Sequence, residues 1–379
     1  MRRPAVTLGI FAVATAAFAA AVTGSLAPTA EPSALPGHLQ TELDRLVAGA
    51  AVPGAQLVLT EGDAVVQVDS GVGDVGGNTA YPDNAQFRIA SNTKTFVAAV
   101  VLQLAGEGRL ELDAPIDRYL PGVVHGPGGD GSVITVRNLL QHTSGIPDYL
   151  GQLDLESVAG LQAARPIGEL IALGMAETAN FTPGSKAQYS NTNYLIAGEL
   201  VRKVTGKPVG IEITTRILTP LGLTGTYWPA YPSENVIRAP HARAYHEFDG
   251  KRVDITDIDP GWGLPDGAMV STGLDLDRYF TALLAGRVLA PAQLAEMRHT
   301  VPSNDFRRSD DFGLGLFHWK TSCGLDAWGH GGTMNGTFVY GGTTGARAVT
   351  VSLNEIPDMV GAQAHGVDLD TVVDTALCA

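Results

Sequence analysis

The chain has 379 residues, enough for one large domain or two intergrown ones, and 45% hydrophobic with 17% charged residues is ordinary for a folded globular protein. With 39 acidic against 25 basic residues it carries a net charge of −14 at pH 7. Such a surface repels phosphate backbones and anionic lipid, which argues against nucleic-acid binding.

The first thirty residues stand apart from the rest. Arg2 and Arg3 precede an uncharged, alanine-rich run from Val6 to Val22, and Glu31-Pro32-Ser33 opens a polar stretch. This is the pattern of a secretory signal peptide over residues 1–30, with cleavage between Gly24 and Ala30; an uncleaved membrane anchor is the alternative. Export would place Cys323 and Cys378 in an oxidising compartment. A disulfide between them is the simple expectation, and two thiols that never meet the alternative.

The folded domain is expected over residues 38–379. Residues 55–72 alternate around Glu61-Gly62-Asp63 and predict a β-hairpin. A helix is expected from Ser91 to Ala105, ending at Gly106 and apolar on nearly every side through Phe96, Val97, Val100, Val101 and Leu102. Residues 111–264 hold helical patterns at Val136–Gln141, Ile167–Ala176 and Tyr194–Val204, broken by Pro and Gly turns. Short strand patterns then follow at Gly313–Trp319, Asp326–Trp328, Gly336–Tyr340 and Ala346–Leu353, and a helix near 360–377 closes the chain. The expected architecture is an α/β sheet region from residues 38–110 and 265–379, with a helical subdomain between.

Three motifs carry chemistry. Serine needs a base to become a nucleophile, and Lys94 lies one helical turn after Ser91 in the only Ser-x-x-Lys of the chain. A lysine held among apolar side chains loses basicity and can act as a neutral amine. Taken alone, the pair is equally a helix-capping serine followed by a surface lysine. Tyr189-Ser190-Asn191 is the only Tyr-x-Asn; a tyrosinate there could shuttle a proton and the asparagine amide could orient both lysine and substrate. His330-Gly331-Gly332-Thr333 holds the only His-x-Gly and should border a strand. Its glycines would let a substrate backbone lie along the edge, and the Thr333 and Ser91 N–H groups could form an oxyanion hole.

In this order, the three motifs resemble those of the serine β-lactamase and penicillin-binding DD-peptidase superfamily. The likeness is to its class C-like, low-molecular-weight carboxypeptidase branch, which includes exported D-alanyl-D-alanine carboxypeptidases of Streptomyces. Supporting stretches are Phe87–Lys94, Leu139-Leu140-Gln141-His142-Thr143-Ser144-Gly145, Tyr189–Tyr194 and Gly267–Ser271. The resemblance implies an antiparallel β-sheet flanked by helices, a helical subdomain, and a site between them. It implies Ser91 as acylated nucleophile, Lys94 as base, Tyr189 as proton carrier to the leaving amine, and Asn191, His330, Gly332 and Thr333 on the substrate. Trp262 matches an aromatic at the cleft rim, and Cys323 and Cys378 match the disulfide positions of that branch. The implied reaction is cleavage of D-Ala–D-Ala peptides, with β-lactams acylating the same serine.

Two positions depart from that pattern. Phe317 stands where the resemblance implies a carboxylate-binding arginine, and Gly331 where it implies a threonine. Losing such a charge-assisted contact costs about 1.5–3 kcal/mol. A β-lactamase, an esterase, a D-amino-acid peptidase or amidase, and a non-catalytic penicillin-fold binding protein are therefore the alternatives. No metal or cofactor is expected. The expected partners are small peptides, peptidoglycan stems and β-lactams, met by a secreted monomer without nucleic acid or lasting membrane contact.

Overall fold

The hairpin expected near residue 60 is the edge of a large antiparallel sheet. In the computed structural model, which describes residues 35–303, 311–358 and 369–379, β1 (Gly54–Glu61) and β2 (Ala64–Gly71) pair from Gly54↔Gly71 to Glu61↔Ala64. Gly62 turns the hairpin at φ +58°, a conformation that costs glycine little. The signal-peptide expectation for residues 1–30 lies outside the described residues, as does the first part of the helix expected near 360–377. Residues Leu35–Ala379 form one compact unit.

Two minor pairs stand apart from the main sheet: β3 (Gln86–Arg88) with β6 (Val270–Thr272), and β4 (Tyr245–Phe248) with β5 (Lys251–Asp254). The remaining strands are β7 (Val301–Pro302), β8 (Asp311–Phe312), β9 (Phe317–Lys320), β10 (Asp326–Met334), β11 (Thr337–Thr343) and β12 (Arg347–Leu353). The eight-stranded order is β2-β1-β12-β11-β10-β9-β8-β7, so the two ends of the chain meet where β1 pairs with β12.

Helices α1 (Leu35–Gly49) and α11 (Leu369–Cys378) cover one face, packing Leu39, Leu43, Val372 and Val373 against Leu57, Val349 and Val351. The other face meets α2 (Thr93–Gly106) and α9 (Gly273–Leu284). Gly273 lets α9 lie against β1, since a Cβ there would come within 2.7 Å of Val58. Beyond α2 lie α3 (Val136–Leu140), α4 (Val158–Gln162), α5 (Ile167–Ala176), α6 (Thr192–Thr205), α7 (Val209–Ile213) and α8 (Thr219–Leu221), while α10 (Pro291–Met297) follows α9.

Helix α2 is central because its composition leaves it no solvent face. From Thr93 to Leu102 every residue is buried, Lys94 included. Each large apolar side chain so enclosed contributes about 1.5–3 kcal/mol relative to exposure. Burying an amine among them is the cost that the site exploits.

Two expectations need correction. The segment expected to be helical, 111–264, also contains the β4–β5 hairpin; its Asp249-Gly250 turn has φ values of +51° and +73°, a strong turn signal in the sequence. The strand expected to stop at Trp328 continues through Met334, so the His330–Thr333 motif lies inside β10 rather than beside it. Glycine alone would weaken a strand, and here pairing with β11 from Trp328↔Thr343 to Met334↔Thr337 overrides it.

Candidate active site

The candidate nucleophile, Ser91, sits on a tight turn that tertiary contacts hold. Ser91 belongs to a 3₁₀ turn, Ala90–Asn92, ahead of α2 rather than to the first turn of the α-helix. Ala90 adopts φ +45°, an unfavourable region for a residue with a Cβ. Ile89 N–H donates to Met269 O at 2.9 Å and the Asn92 amide donates to Ile89 O at 3.1 Å. On the other side β10 presses close: a Cβ on Gly332 would lie 2.3 Å from Ile89 O and 3.1 Å from the Ala90 Cβ. Gly332 therefore sets the approach of the strand to the turn. No local pattern around Ala90 announces this strain.

Lys94 has three neighbours at hydrogen-bond distance: Asn191 Oδ1 at 2.7 Å, Asp266 O at 2.6 Å and Ser91 Oγ at 2.9 Å. A neutral amine has two hydrogens and one lone pair. Its hydrogens suit the two carbonyl oxygens, leaving the lone pair for the serine hydroxyl. Burial lowers its pKa from 10.5 to about 8, against the opposing pull of the Asp266 and Asp148 carboxylates.

Tyr189 reaches the same point from the loop before α6. Its hydroxyl hydrogen-bonds with Ser91, and its ring lies 5.0 Å from Lys94 Nζ. Burial holds the phenol well above its ordinary pKa, with the Ser91 hydrogen bond opposing. Burial thus disfavours the tyrosinate of the sequence reading and leaves Lys94 as the candidate base. Asn191 caps α6, and its side-chain amide donates to Asp148 Oδ2 at 2.7 Å in addition to holding the lysine. The sequence reading had the amide orient both lysine and substrate; the structure shows its oxygen on Lys94 and its nitrogen on Asp148.

Asp148, Tyr149 and Asp266 were missed from sequence. The Tyr149 hydroxyl donates to Asp266 Oδ2 at 3.0 Å, while the Asp266 main-chain oxygen receives Lys94. Burial raises the Asp266 carboxyl, with the Lys94 charge opposing. Asp148 lies close behind the quoted Leu139–Gly145 stretch and Asp266 immediately before Gly267, so proximity to those stretches was the only available signal.

A pocket opens over Ser91, with Tyr149, Leu150, Trp262, Asp266, Thr333 and Met334 among its walls. Thr333 is exposed to it. Trp262 is buried rather than standing free at the rim, with its indole N–H donated to Leu161 O at 2.7 Å. Strand β9 pairs with β10 only over Asp326–Gly329, so His330–Met334 run past its end. His330 does not line the pocket. It is 1% exposed, stacks on Phe317 with centroids 4.0 Å apart, and burial drives its pKa from 6.5 down to about 3. A Cβ on Gly331 would lie 3.0 Å from the Tyr340 ring, so a threonine there would require that ring to shift.

Among the described residues of β9, no free cation replaces the expected arginine. Phe317 is buried between His330 and Phe312, whose ring is 5.0 Å away. Lys320 Nζ and His318 Nε2 both engage Asp326, at 2.8 and 2.7 Å. Cys323 and Cys378 are joined, tying the β9–β10 turn to α11.

A strained serine turn, a buried amine poised on its hydroxyl and a tyrosine within reach, between an antiparallel sheet and a helical layer, form the site arrangement of the β-lactamase and penicillin-binding superfamily. The chain belongs to the beta-lactamase family, whose model matches residues 39–364. It is similar to penicillin-binding protein 4 of Amycolatopsis lactamdurans, 28% identical over 320 residues covering 80% of each chain. Protein flp of Staphylococcus aureus MRSA252 is 28% identical over 230 residues, 60% of this chain and 44% of that protein, so the match spans less than half of that relative. Among solved structures, a D-stereospecific amidohydrolase from Streptomyces sp. is 34% identical with a TM-score of 0.78, over 88% of this chain and 98% of that one. The D-amino acid amidase of Ochrobactrum anthropi SV3, complexed with L-phenylalanine amide, is 28% identical with a TM-score of 0.78, over 91% and 98%.

Proposed function

We propose that this protein is an exported serine hydrolase that opens amide and peptide bonds on the carboxyl side of D-amino acids through an acyl-enzyme on Ser91. The placement of Lys94 carries the reading: a fully buried amine, held by two carbonyl oxygens and with its pKa lowered to about 8, lies 2.9 Å from Ser91 Oγ, within reach of the serine proton.

In the proposed reaction Ser91 Oγ attacks the substrate carbonyl carbon as its proton passes to Lys94 Nζ. The Ser91 and Thr333 N–H groups receive the oxyanion. Tyr189 gives its phenolic proton to the departing amine and regains one from Lys94, leaving an ester on Ser91. Water then attacks that ester, its proton passing through the same pair to Ser91 Oγ as the acyl–oxygen bond breaks and the acid is released.

Phe317 narrows the leaving group. No guanidinium stands at position 317 to pair with a free carboxylate, because the Phe317 ring is buried between Phe312 and His330. This favours uncharged leaving groups, such as ammonia or an alcohol, over the terminal D-Ala of a carboxypeptidase substrate. The similarity to the two amide-cleaving proteins supports the same direction. The D-Ala–D-Ala carboxypeptidase reading is second, favoured by the similarity to penicillin-binding protein 4.

The test pairs labelling with turnover. A fluorescent penicillin should attach covalently to the wild-type chain at Ser91 and not to Ser91→Ala. D-Phenylalanine amide should turn over faster than a diacyl-Lys-D-Ala-D-Ala peptide, and the L-amide should be inert. No label in wild type, or one retained in Ser91→Ala, overturns the nucleophile; faster release of D-Ala overturns the substrate class.

A further inference from the structure

His142, in the stretch Gln141-His142-Thr143-Ser144-Gly145 after α3, touches neither Ser91 nor the pocket, yet it is fixed in unusual detail. It is buried, and its backbone adopts φ +56°, the left-handed region that only a minority of non-glycine residues enter. That conformation points its carbonyl and its ring at the same neighbouring loop. Gln188 N–H donates to His142 O at 2.9 Å, and Ser190 N–H donates to His142 Nδ1 at 3.2 Å. Between them the Tyr189 ring lies flat on the imidazole, centroids 4.2 Å apart and planes 26° from parallel. Three successive residues of the tyrosine loop are thus held by one side chain and its own backbone.

The imidazole's protonation state is set by its partners. Ser144 hydroxyl donates to Asn193 Oδ1 at 2.6 Å, which turns the Asn193 amide nitrogen toward His142 Nδ1 at 3.3 Å. With two donors aimed at Nδ1, that nitrogen is the acceptor and the ring proton sits on Nε2. The titratable groups around it are Lys94, His330, Tyr189 and Tyr194. Burial, Lys94 and His330 all push the imidazole toward its neutral form, and the Ser190 N–H donated to Nδ1 suits that form.

We infer that His142 is a positioning residue for the proton transfer made by Tyr189: its flat stack and its Nδ1 acceptor hold the phenol where it meets both Ser91 and the departing amine. This rests on the acyl-enzyme reading of Ser91. The role is specific to leaving groups that need a proton. An amine must be protonated as it departs, whereas p-nitrophenolate leaves without one, so misplacing Tyr189 slows amides and largely spares activated esters.

The experiment compares His142→Phe, which keeps a flat ring but loses the acceptor, and His142→Asn, which keeps an acceptor but loses the stack. Tyr189→Phe and each double variant are the references. Substrates are D-phenylalanine amide and a D-phenylalanine p-nitrophenyl ester, with thermal unfolding run on every protein. General acid–base catalysis contributes about 10²–10⁴-fold. Each His142 variant should therefore lose about tenfold to a hundredfold in kcat on the amide, at near-constant KM, and less than about threefold on the ester. Each double variant should fall no further than Tyr189→Phe alone, the non-additivity of residues that act through one another. A parallel loss on amide and ester, no loss on either, or additive losses overturns the assignment. Where one variant unfolds, the other carries the comparison. Failure of the Ser91 reading is recognised separately, by the absence of an acyl-enzyme in the wild-type protein.

Discussion

The titration of Lys94 should govern acylation, and its midpoint should move when Asp266 loses its charge. The fall from 10.5 to about 8 is a preference of about 3 kcal/mol for the neutral amine over its unperturbed balance. With a midpoint at about 8, roughly a tenth of the chains hold a neutral Lys94 at pH 7 and roughly nine tenths at pH 9. Acylation at limiting substrate should rise about tenfold across that interval and then level off. An unperturbed lysine would instead keep gaining close to tenfold per pH step through pH 9. Among the charges that oppose burial at Lys94, Asp266 is the larger and Asp148 the smaller. Asp266→Asn removes the first and should shift the rising limb to lower pH, while the main-chain oxygen at that position stays on the amine. The assay is the pre-steady-state acylation rate with a p-nitrophenyl ester of a D-amino acid, from about pH 5.5 to 10, a span that brackets the midpoint. A flat profile, or a limb that stays put or moves upward in Asp266→Asn, refutes Lys94 as the base.

Three further outcomes follow from the packing. Gly332→Ala puts a Cβ 2.3 Å from Ile89 O; overpacking of this kind costs about 1–3 kcal/mol and should open the Ala90–Asn92 turn, so both the melting temperature and the acylation rate should fall. A variant with wild-type values for both would show that the strand does not set the turn. Replacing Cys323 and Cys378 together by serine removes a cross-link spanning 55 residues, worth about 4 kcal/mol by chain entropy; urea unfolding should register a large part of it, and an unchanged midpoint would discount the bond as a restraint. Asp277 lies fully buried on α9, accepting the Thr350 hydroxyl at 2.7 Å, and burial raises its carboxyl well above the ordinary value. The folded chain then holds a proton that the unfolded chain releases, so this group's contribution is intact below the ordinary carboxylate pKa and declines as pH rises toward the folded value. Asp277→Asn keeps an acceptor for Thr350 and should flatten the loss of stability that sets in above the ordinary carboxylate pKa; identical pH slopes in the two proteins would count against the buried proton.

Much was legible in the sequence because it was local. The β1–β2 hairpin, the all-apolar α2 and the Ile167–Ala176 helix each follow from periodicity and turn residues within one segment. The three motifs named Ser91, Lys94, Tyr189, Asn191 and Thr333, since a serine three residues before a lysine or an asparagine two after a tyrosine is a property of adjacent positions. What the sequence could not contain is the set of contacts between distant segments. Asp266 and Lys94 are 172 residues apart, and their hydrogen bond uses a main-chain oxygen that every residue possesses. Asp148 and His142 act on a loop more than forty positions away, through an amide, a ring face and backbone N–H groups. His330, placed on the substrate by its motif, turned out buried beneath Phe317, because the alternation of a strand says which residues share a face but not what packs over them. The strain at Ala90 and the need for Gly332 arise from the meeting of a turn and a strand 242 positions apart in the chain, 90 against 332. Composition and local pattern determined the elements and the reactive groups. The low dielectric around Lys94 and the orientation of Tyr189 exist only once those elements pack, because desolvation and close approach are properties of the assembled interior and of no single segment.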